Sequence, residues 1–331
     1  MGISVNDIAS FVVNSLVIVG GIGVFAIALL YANQDKMLYI PNPPGFPKEP
    51  RSNPRGFSSP SEWTRRGRRC KHKTDPQSIP YEEHFLETSD GKKIHVWLLL
   101  QDNSMDVPTI IYFHGNAANM GLRLKNVAEM YAVTGANILM MDYRGYGSSE
   151  GVPSEKGLNI DASTVLLFAC THPKLKGSPM VAFGRSLGGA VSLSLSSNHP
   201  TLVDGIILEN TFTSVAEMVD VLMPWVARLK HLVLRIGWHS DRVIASLSQP
   251  ILFISGDSDQ LVPPSHMTSL YHHATKTTLK DFYSVLGGTH NDTWEVGGME
   301  YYKKISDFLK RVVEKRERER EKEEEREREK E

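Results

Sequence analysis

The sequence is poor in cysteine, with only Cys70 and Cys170 among its 331 residues. The two lie far apart and form no C-x-x-C pair, so the sequence supports neither a disulfide framework nor a cysteine zinc site. An excess of charge is also lacking, because 37 basic side chains face 38 acidic ones. With 41% hydrophobic residues and no internal repeat, the composition excludes a disordered or collagen-like chain and indicates a globular protein with a sizeable core.

Charged side chains are absent from residues 11–32, FVVNSLVIVGGIGVFAIALLYA. As a helix this segment is about 33 Å long, which matches the roughly 30 Å hydrocarbon core of a bilayer. A cleaved signal peptide is less consistent with it, because no Lys or Arg precedes the apolar run and no small-residue cleavage site follows. The pattern therefore predicts a single-pass membrane anchor in residues 1–35. The nearby basic residues all follow the span, which favours a cytosolic catalytic body without indicating which membrane holds it.

Residues 36–80 contain nine prolines and the basic cluster RRGRRCKHK at 65–73. No helix or strand period is sustained here, so we interpret the segment as a linker between the span and the body. The basic cluster has two interpretations that the sequence leaves open, contact with anionic lipid headgroups or plain solvation. No aromatic platform or nucleic-acid-binding motif accompanies it, and we expect no nucleic-acid partner.

Residues 81–313 alternate short β-rich runs with longer amphipathic ones, which is typical of a mostly parallel sheet flanked by helices. The first two predicted strands flank the turn SDGK and indicate an antiparallel hairpin. Eight strands are predicted, at residues 84–88, 93–100, 109–113, 137–143, 179–184, 205–210, 250–256 and 279–285. Helices are predicted at residues 122–134, 154–170, 187–198, 263–274 and 299–313. The sequence thus predicts one α/β domain.

Two further segments accompany this domain. Residues 211–246 carry apolar side chains at helical spacing and predict a small helical cap. Met218, Leu222 and Trp225 would either line a groove for an acyl chain or simply pack in the core. Residues 314–331 are charged at every position, so we expect a solvated tail that extends the last helix, with partners unknown.

The string GRSLGG, which begins at Gly184, contains a G-x-S-x-G motif. It follows a predicted strand and opens a predicted helix, which is the context that a nucleophile elbow requires. The sharp turn strains Ser186 and leaves no room for side chains beside it, which explains the glycines. A phosphate-binding turn would also explain the glycines, but not the residues that follow in the chain.

A serine hydroxyl becomes a nucleophile when a histidine base, itself oriented by a carboxylate, removes its proton. His290 follows the strand predicted at 279–285, and Asp257 and Asp259 follow the strand at 250–256. These positions lie at carboxyl ends of strands, where open sheets place their chemistry. The pattern leaves the acid open between the two aspartates. The backbone N–H groups of Leu187 and Asn116 are the candidates for an oxyanion hole.

These residues lie within longer strings through which residues 81–313 resemble the Bem46-like branch of the α/β-hydrolase family: YFHGNAANMGLRL, MDYRGYGSSEG, FGRSLGGA, LENTFTS, LFISGDSDQLVPP and GTHNDTW. In that family the acid is the Asp of G-x-x-D-x-x-V-P, which corresponds to Asp259. The resemblance implies an α/β-hydrolase fold and a single-span membrane serine hydrolase with Ser186, Asp259 and His290 as its triad. Nearby branches include thioesterases that remove palmitate from proteins. The proline-rich segment and the charged tail depart from the family pattern.

The expected function is therefore a membrane-tethered serine hydrolase that cleaves an ester or thioester of a lipid-like or acylated substrate. It would act through an acyl-enzyme, and we expect neither a metal nor another cofactor. A serine peptidase has the same triad and differs in a substrate pocket that the sequence does not show. A catalytically silent membrane scaffold is the third hypothesis, but it has no reason to retain Ser186, Asp259 and His290 together.

Overall fold

A computed structural model describes residues 5–72, 75–224 and 227–329, with only the backbone at residues 5–13, 15–20, 22, 229, 231 and 232. Eight strands form one sheet in the order β1-β2-β4-β3-β5-β6-β7-β8. They are β1 (Tyr81–Glu87), β2 (Lys93–Leu99), β3 (Thr109–Phe113), β4 (Asn137–Met141), β5 (Met180–Arg185), β6 (Gly205–Glu209), β7 (Ile251–Gly256) and β8 (Lys280–Val285). Strand β2 runs antiparallel to both neighbours, and all other pairs are parallel. The predicted eight-stranded, mostly parallel sheet is confirmed, with strand bounds within about three residues of those expected from periodicity.

The helices are α1 (Val5–Leu38), α2 (Leu124–Thr134), α3 (Glu155–Thr171), α4 (Leu187–Asn198), α5 (Val215–Leu222), α6 (Lys230–Val233), α7 (Ser240–Ile244), α8 (Pro264–His273) and α9 (Thr293–Arg328). Local sequence signals fix several ends. Helix α3 begins after Ser154, whose hydroxyl accepts the N–H of Gly157, and α2 ends at Gly135 in the left-handed region. Helix α9 breaks at Gly298 and then continues into the charged tail.

The sheet separates two apolar layers because successive side chains of a strand point to opposite faces. Along β3, Ile111 and Phe113 pack in one layer, and Ile110 and Tyr112 pack in the other. Helices α3, α4 and α8 contribute to the first layer, and α2 and α9 to the second. Strands β3 to β7 run parallel, so their carboxyl ends lie at the same edge of the sheet. They are also buried along their length, which fixes that edge.

Residues 36–80 differ from the plain linker that their composition indicates. Trp63 is buried and its indole N–H donates to the carbonyl of Gly56 at 2.6 Å, while Ile79 and Cys70 are also buried. The Arg55 guanidinium donates to the carbonyls of Cys70 and Lys71. Isolated apolar residues between the prolines are thus buried against the domain. Their burial holds residues 36–80 in place on its surface.

Helix α1 runs through the apolar run without interruption. Across the described ranges, no helix combines the length and the apolar character that crossing a membrane requires. The anchor predicted for residues 1–35 stays a prediction.

Residues 211–246 form helices α5, α6 and α7, in the region of the predicted cap. Met218 is half-buried and packs on the core layer of α3 and α4, whereas Leu222 is 51% exposed. Trp225 lies outside the described residues. The two interpretations of these side chains, an acyl groove or core packing, therefore stay open for all three, with Met218 half-buried against the core.

Candidate active site

Ser186 occupies the turn between β5 and α4 with φ 54° and ψ −121°. This left-handed conformation costs a non-glycine residue about 1 to 3 kcal/mol and needs support from its surroundings. The support comes from the Ser186 N–H, which donates to the Glu209 carbonyl at 2.9 Å, and from the Thr211 hydroxyl, which donates to the Ser186 carbonyl at 2.7 Å. The backbone is thus held at a sharp turn that places Ser186 between strand and helix.

Close backbone contacts explain the glycines around this serine. A Cβ on Gly184 would lie 2.1 Å from the Gly188 carbonyl oxygen, and one on Gly188 would lie 2.0 Å from the Phe113 carbonyl oxygen. Both distances are impossible for a real side chain, because the atoms would overlap. The turn therefore requires glycine for close approach of strand and helix, as the sequence pattern indicated.

His290 and Asp259 lie together at the carboxyl ends of β8 and β7. The Nδ1 of His290 donates to Oδ2 of Asp259 at 2.7 Å, and the aspartate is buried. The other oxygen, Oδ1, accepts the N–H groups of Leu261 and Val262, each at 2.9 Å. One carboxylate oxygen is therefore fixed by the loop, and the other orients the imidazole.

Asp257, the second candidate for the acid, is exposed and faces elsewhere. Its Oδ1 accepts the N–H of Gly287 at 2.7 Å and the Ser258 hydroxyl at 3.0 Å. It joins the loop after β7 to the loop after β8. The geometry places Asp259, and not Asp257, in contact with His290.

Arg185 connects the serine turn to the histidine loop. It is 5% exposed, and its Nη2 donates to the His290 carbonyl at 2.5 Å and to the Asn291 side chain at 3.0 Å. Its Nε lies 3.8 Å from Oε1 of the buried Glu209, whose other oxygen accepts the Tyr301 hydroxyl. Burial raises the pKa of Glu209, and the Arg185 charge opposes that rise. Within the described residues no hydrogen bond joins the Ser186 hydroxyl to His290, and catalytic hydrogen bonds are often formed only when substrate binds.

The loop after β3 carries Asn116, the predicted second oxyanion donor. A Cβ on Gly115 would lie 3.7 Å from the Ser186 Cβ, so this loop adjoins the serine. The Nδ1 of the buried His114 donates to the Gly115 carbonyl at 2.7 Å, which orients the peptide that contains the Asn116 N–H. Burial lowers the pKa of His114 to about 4, so its ring is neutral near pH 7. Leu187 begins α4, and the first N–H groups of a helix lack partners within it, which leaves this group available.

Among the described residues, one group of side chains could together approach a metal ion: Glu82, His84 and His172. Both histidine Nε2 atoms lie about hydrogen-bond distance from Oε2 of Glu82, at 3.0 and 3.1 Å. The Lys174 ammonium binds the other oxygen of Glu82 at 2.7 Å. These contacts form a network of ion pairs and hydrogen bonds around Glu82, and the group contains none of the predicted site residues.

Known proteins with similar sequences cover most of the chain. It is 37% identical over 311 residues to "Alpha/beta hydrolase domain-containing protein WAV2" of Arabidopsis thaliana, spanning 90% of this chain and 94% of the relative. It is 35% identical over 286 residues to "Protein bem46" of Schizosaccharomyces pombe, spanning 86% and 88%. The chain belongs to the Bem46-like branch of the α/β-hydrolase family. A third relative of this α/β hydrolase, "Uncharacterized membrane protein YNL320W" of Saccharomyces cerevisiae, is 38% identical over 75% of this chain and 86% of its own length.

Other comparisons agree on the fold of this α/β hydrolase. The family model described as "Serine aminopeptidase, S33" matches residues 107–249. The solved Pyrococcus furiosus esterase Pf2001 superimposes with a TM-score of 0.59 at 19% identity, covering 71% of this chain and 92% of the esterase. The predicted α/β-hydrolase fold is therefore confirmed.

Two polar residues of the α/β hydrolase escaped the sequence prediction, Arg185 and Asn210. The Asn210 side chain donates to the Thr293 hydroxyl at 2.8 Å and accepts the Gly256 N–H at 2.8 Å, which joins the ends of β6 and β7 to the start of α9. Asn210 also adopts φ 47°, so its backbone is held in the left-handed region. Its position directly after a buried strand, within LENTFTS, was the available signal.

Proposed function

We propose that this α/β hydrolase cleaves an ester or thioester through an acyl-enzyme formed on Ser186. The observation that carries the proposal is the 2.7 Å bond between His290 Nδ1 and the buried Asp259, at the sheet edge where Ser186 is held in a strained turn. Donation from Nδ1 leaves Nε2 as the basic nitrogen of a neutral imidazole. The two features together supply a base and a nucleophile.

In the proposed reaction, His290 Nε2 takes the hydroxyl proton while Ser186 Oγ attacks the acyl carbon. The carbonyl oxygen becomes an oxyanion that accepts hydrogen bonds from the N–H groups of Asn116 and Leu187. His290 then gives its proton to the departing alcohol or thiol, which leaves the acyl group on Ser186. Water, deprotonated by the same nitrogen, releases the acid and restores the serine.

The proposed substrate is lipid-like or a protein-bound acyl group. Met218, Leu222 and Trp225 would line a groove for its acyl chain, which is supported by the exposed apolar side chain of Leu222 on a cap helix. A membrane location fits such a substrate, because the tethered site would meet acyl chains at high local concentration.

The proposed tether is α1, with the catalytic body on the cytosolic side. Large apolar side chains of α1 are exposed, among them Val24 at 69% and Phe25 at 67%. Such a surface needs a covering partner, and a bilayer provides one. The name of the Saccharomyces cerevisiae relative, an uncharacterized membrane protein, also supports this location.

A serine peptidase is the second candidate, and the description of the matched family model, a serine aminopeptidase, favours it. Its chemistry at Ser186 would be the same, with an amine as leaving group. A catalytically silent scaffold would need no His290–Asp259 bond. Absence of labelling by an active-site probe would favour this third hypothesis.

The test is labelling of the full chain in membranes with a fluorophosphonate probe, which reacts with activated serines. We expect labelling of the unmodified protein and of Ser192→Ala, a control within the helix α4 that follows Ser186, and none of Ser186→Ala. Competition by an acyl thioester would support the thioesterase assignment, and competition by peptides alone would replace it with a peptidase. Equal labelling of Ser186→Ala would exclude the proposed nucleophile.

A further inference from the structure

The end of α1 and the residues after it bind the loop that carries Asn116. The Ile40 N–H donates to the Asn116 carbonyl at 3.0 Å, and the Ala118 N–H donates to the Ile40 carbonyl at 3.1 Å. The Asn116 side chain donates to the Leu38 carbonyl at 2.9 Å. Together these bonds form a short parallel bridge between residues 40 and 117, so the N-terminal segment acts as a strand partner for this loop.

The loop needs outside support because part of it is strained. Ala118 adopts φ 60°, a left-handed conformation that persists only where neighbouring groups fix it. The N–H of this residue donates to Ile40, as described above. Two side chains of the body add bonds, the Tyr146 hydroxyl to the Asn116 carbonyl at 2.8 Å and Arg123 to the Ala117 carbonyl at 2.8 Å. Residues 38–40 supply the remaining three bonds to residues 116–118.

The same segment also binds the region of the cap. Gln34 is buried, and its amide donates to the Val233 carbonyl at 2.5 Å and accepts the Arg235 N–H at 2.9 Å. The buried Tyr39 accepts the Trp238 indole N–H on its hydroxyl at 3.0 Å. A single stretch of seven residues, 34–40, therefore joins α1 to both the cap and the loop of Asn116.

We propose that residues 34–40 form a positioning segment of the active site, which holds the Asn116 peptide in place for oxyanion binding and couples it to α1. The inference rests on the proposed function, because it assigns Asn116 to the oxyanion hole. Oxyanion donors act over a narrow range, about 2.7 to 3.1 Å from the charged oxygen. Loss of the Ile40 N–H leaves only the Tyr146 hydroxyl on the Asn116 carbonyl, so the adjacent chain gains freedom and the rate of acylation should fall although the triad is intact.

The sharpest test removes one N–H in the full chain by Ile40→Pro. The matched control is Asn42→Pro, because the Asn42 N–H makes no hydrogen bond within the described residues and lies outside the segment. We expect Ile40→Pro to lower the rate of fluorophosphonate labelling at least about tenfold relative to the control. Ile40→Ala, which keeps the N–H, should label several-fold faster than Ile40→Pro. Equal rates for the two proline variants would overturn the inference.

A second measurement separates positioning from general damage. Hydrogen exchange of the backbone amides in residues 115–120 should be faster in Ile40→Pro than in Asn42→Pro, with exchange in strands β5 and β6 unchanged. If Ile40→Pro fails to fold, Asn116→Ala removes the bond to Leu38 and keeps its own N–H, and it should lower kcat for an ester with little change in KM. An unchanged kcat in that variant contradicts the inference.

The outcomes also distinguish this inference from the proposed function. If the unmodified protein does not label while exchange at residues 115–120 depends on the Ile40 N–H, the hydrolase assignment is wrong and the coupling of α1 to the loop stands. If the unmodified protein labels and neither rate nor exchange changes in the variants, the hydrolase assignment stands and the coupling is wrong.

Discussion

Asp257 and Asp259 are two positions apart, and they bind different groups. Asp259 is buried against His290 and two backbone N–H groups, whereas Asp257 is exposed and holds Gly287. A carboxylate stabilises an imidazolium only where it contacts the ring, so the two side chains should contribute differently to turnover.

We expect Asp259→Asn to reduce kcat/KM for an ester about a thousandfold or more, because an amide cannot stabilise the charged imidazole. Asp257→Asn, the matched control, should lose less than about tenfold, since its bond to Gly287 survives in an amide oxygen. Steady-state kinetics of both variants check this. Similar losses in the two would contradict the assignment of Asp259 as the acid.

Arg185 and Glu209 form a buried pair under the serine turn. Arg185→Met should destabilise the protein by about 3 to 5 kcal/mol, because it leaves the Glu209 carboxylate buried without its cation. The double variant Arg185→Met with Glu209→Gln should recover most of that stability in urea unfolding. It should still label slowly with a fluorophosphonate, because the hydrogen bond from Arg185 to the His290 carbonyl is missing. Full recovery of labelling would show that Arg185 has no positioning role.

His114 predicts a pH dependence of stability. Its pKa is about 4 in the folded chain, because burial disfavours the charged ring, and about 6.5 when unfolded. Between these values the unfolded state binds more protons, so the contribution of His114 to stability is full above pH 6.5 and is lost as pH falls towards 4. The drop in unfolding free energy from pH 7 to pH 4.5 should be smaller in His114→Asn, as measured by urea unfolding. An equal drop would mean that other groups dominate.

At the scale of residues, the sequence pattern predicted Ser186 and His290 because each follows a clear strand. It left Asp257 and Asp259 undecided, because both follow the same strand and only the backbone of the loop determines which one faces the imidazole. Arg185 and Asn210 were missed for a related reason. Their partners come from loops distant in the chain, and a polar side chain after a strand gives no local sign of what it will bind.

At the scale of elements, periodicity predicted all eight strands because each is long enough and apolar enough to show its pattern. Residues 36–80 were not predicted as a packed segment, since their burial depends on single residues such as Trp63 and Ile79 separated by prolines. Isolated apolar residues show no helix or strand period. Their burial is explained only by the surface of the domain against which they pack.

Helix α1 carries the prediction of a membrane anchor. We expect Val24→Asp combined with Phe25→Asp to move the full chain from carbonate-washed membranes into the soluble fraction, because each charge at the centre of a span costs about 2.5 to 3.5 kcal/mol. Met37→Asp, an exposed position beyond residues 11–32, is the control and should stay with the membranes. Retention of the double variant would mean that another segment binds the bilayer.

At the scale of the whole molecule, the proposed function predicts that the cap and the body together determine which acyl groups reach Ser186. We expect kcat/KM to rise from acetyl to medium-chain esters, by up to roughly fourfold per buried methylene, because each contributes about 0.8 kcal/mol. Met218→Ser should remove this preference while sparing turnover of the acetyl ester, and Val221→Ser, an exposed position on the same helix, should leave it unchanged. If acetyl esters are the best substrates, these side chains serve packing alone.

The bonds between Gln34 and residues 233–235 also constrain the order in which parts of the chain fold. They join positions 199 and 201 apart in sequence, so they cannot form until residues 233 and 235 have been synthesised. Contacts of such long separation form late, because the entropy of closing the loop opposes them. The bonds of α1 to residues 233–235 are therefore expected to form late in folding. During synthesis the end of α1 and the residues after it could bind the loop of Asn116 once residues 116–118 have been made, whereas their bonds to residues 233–238 form only after that later segment has been made.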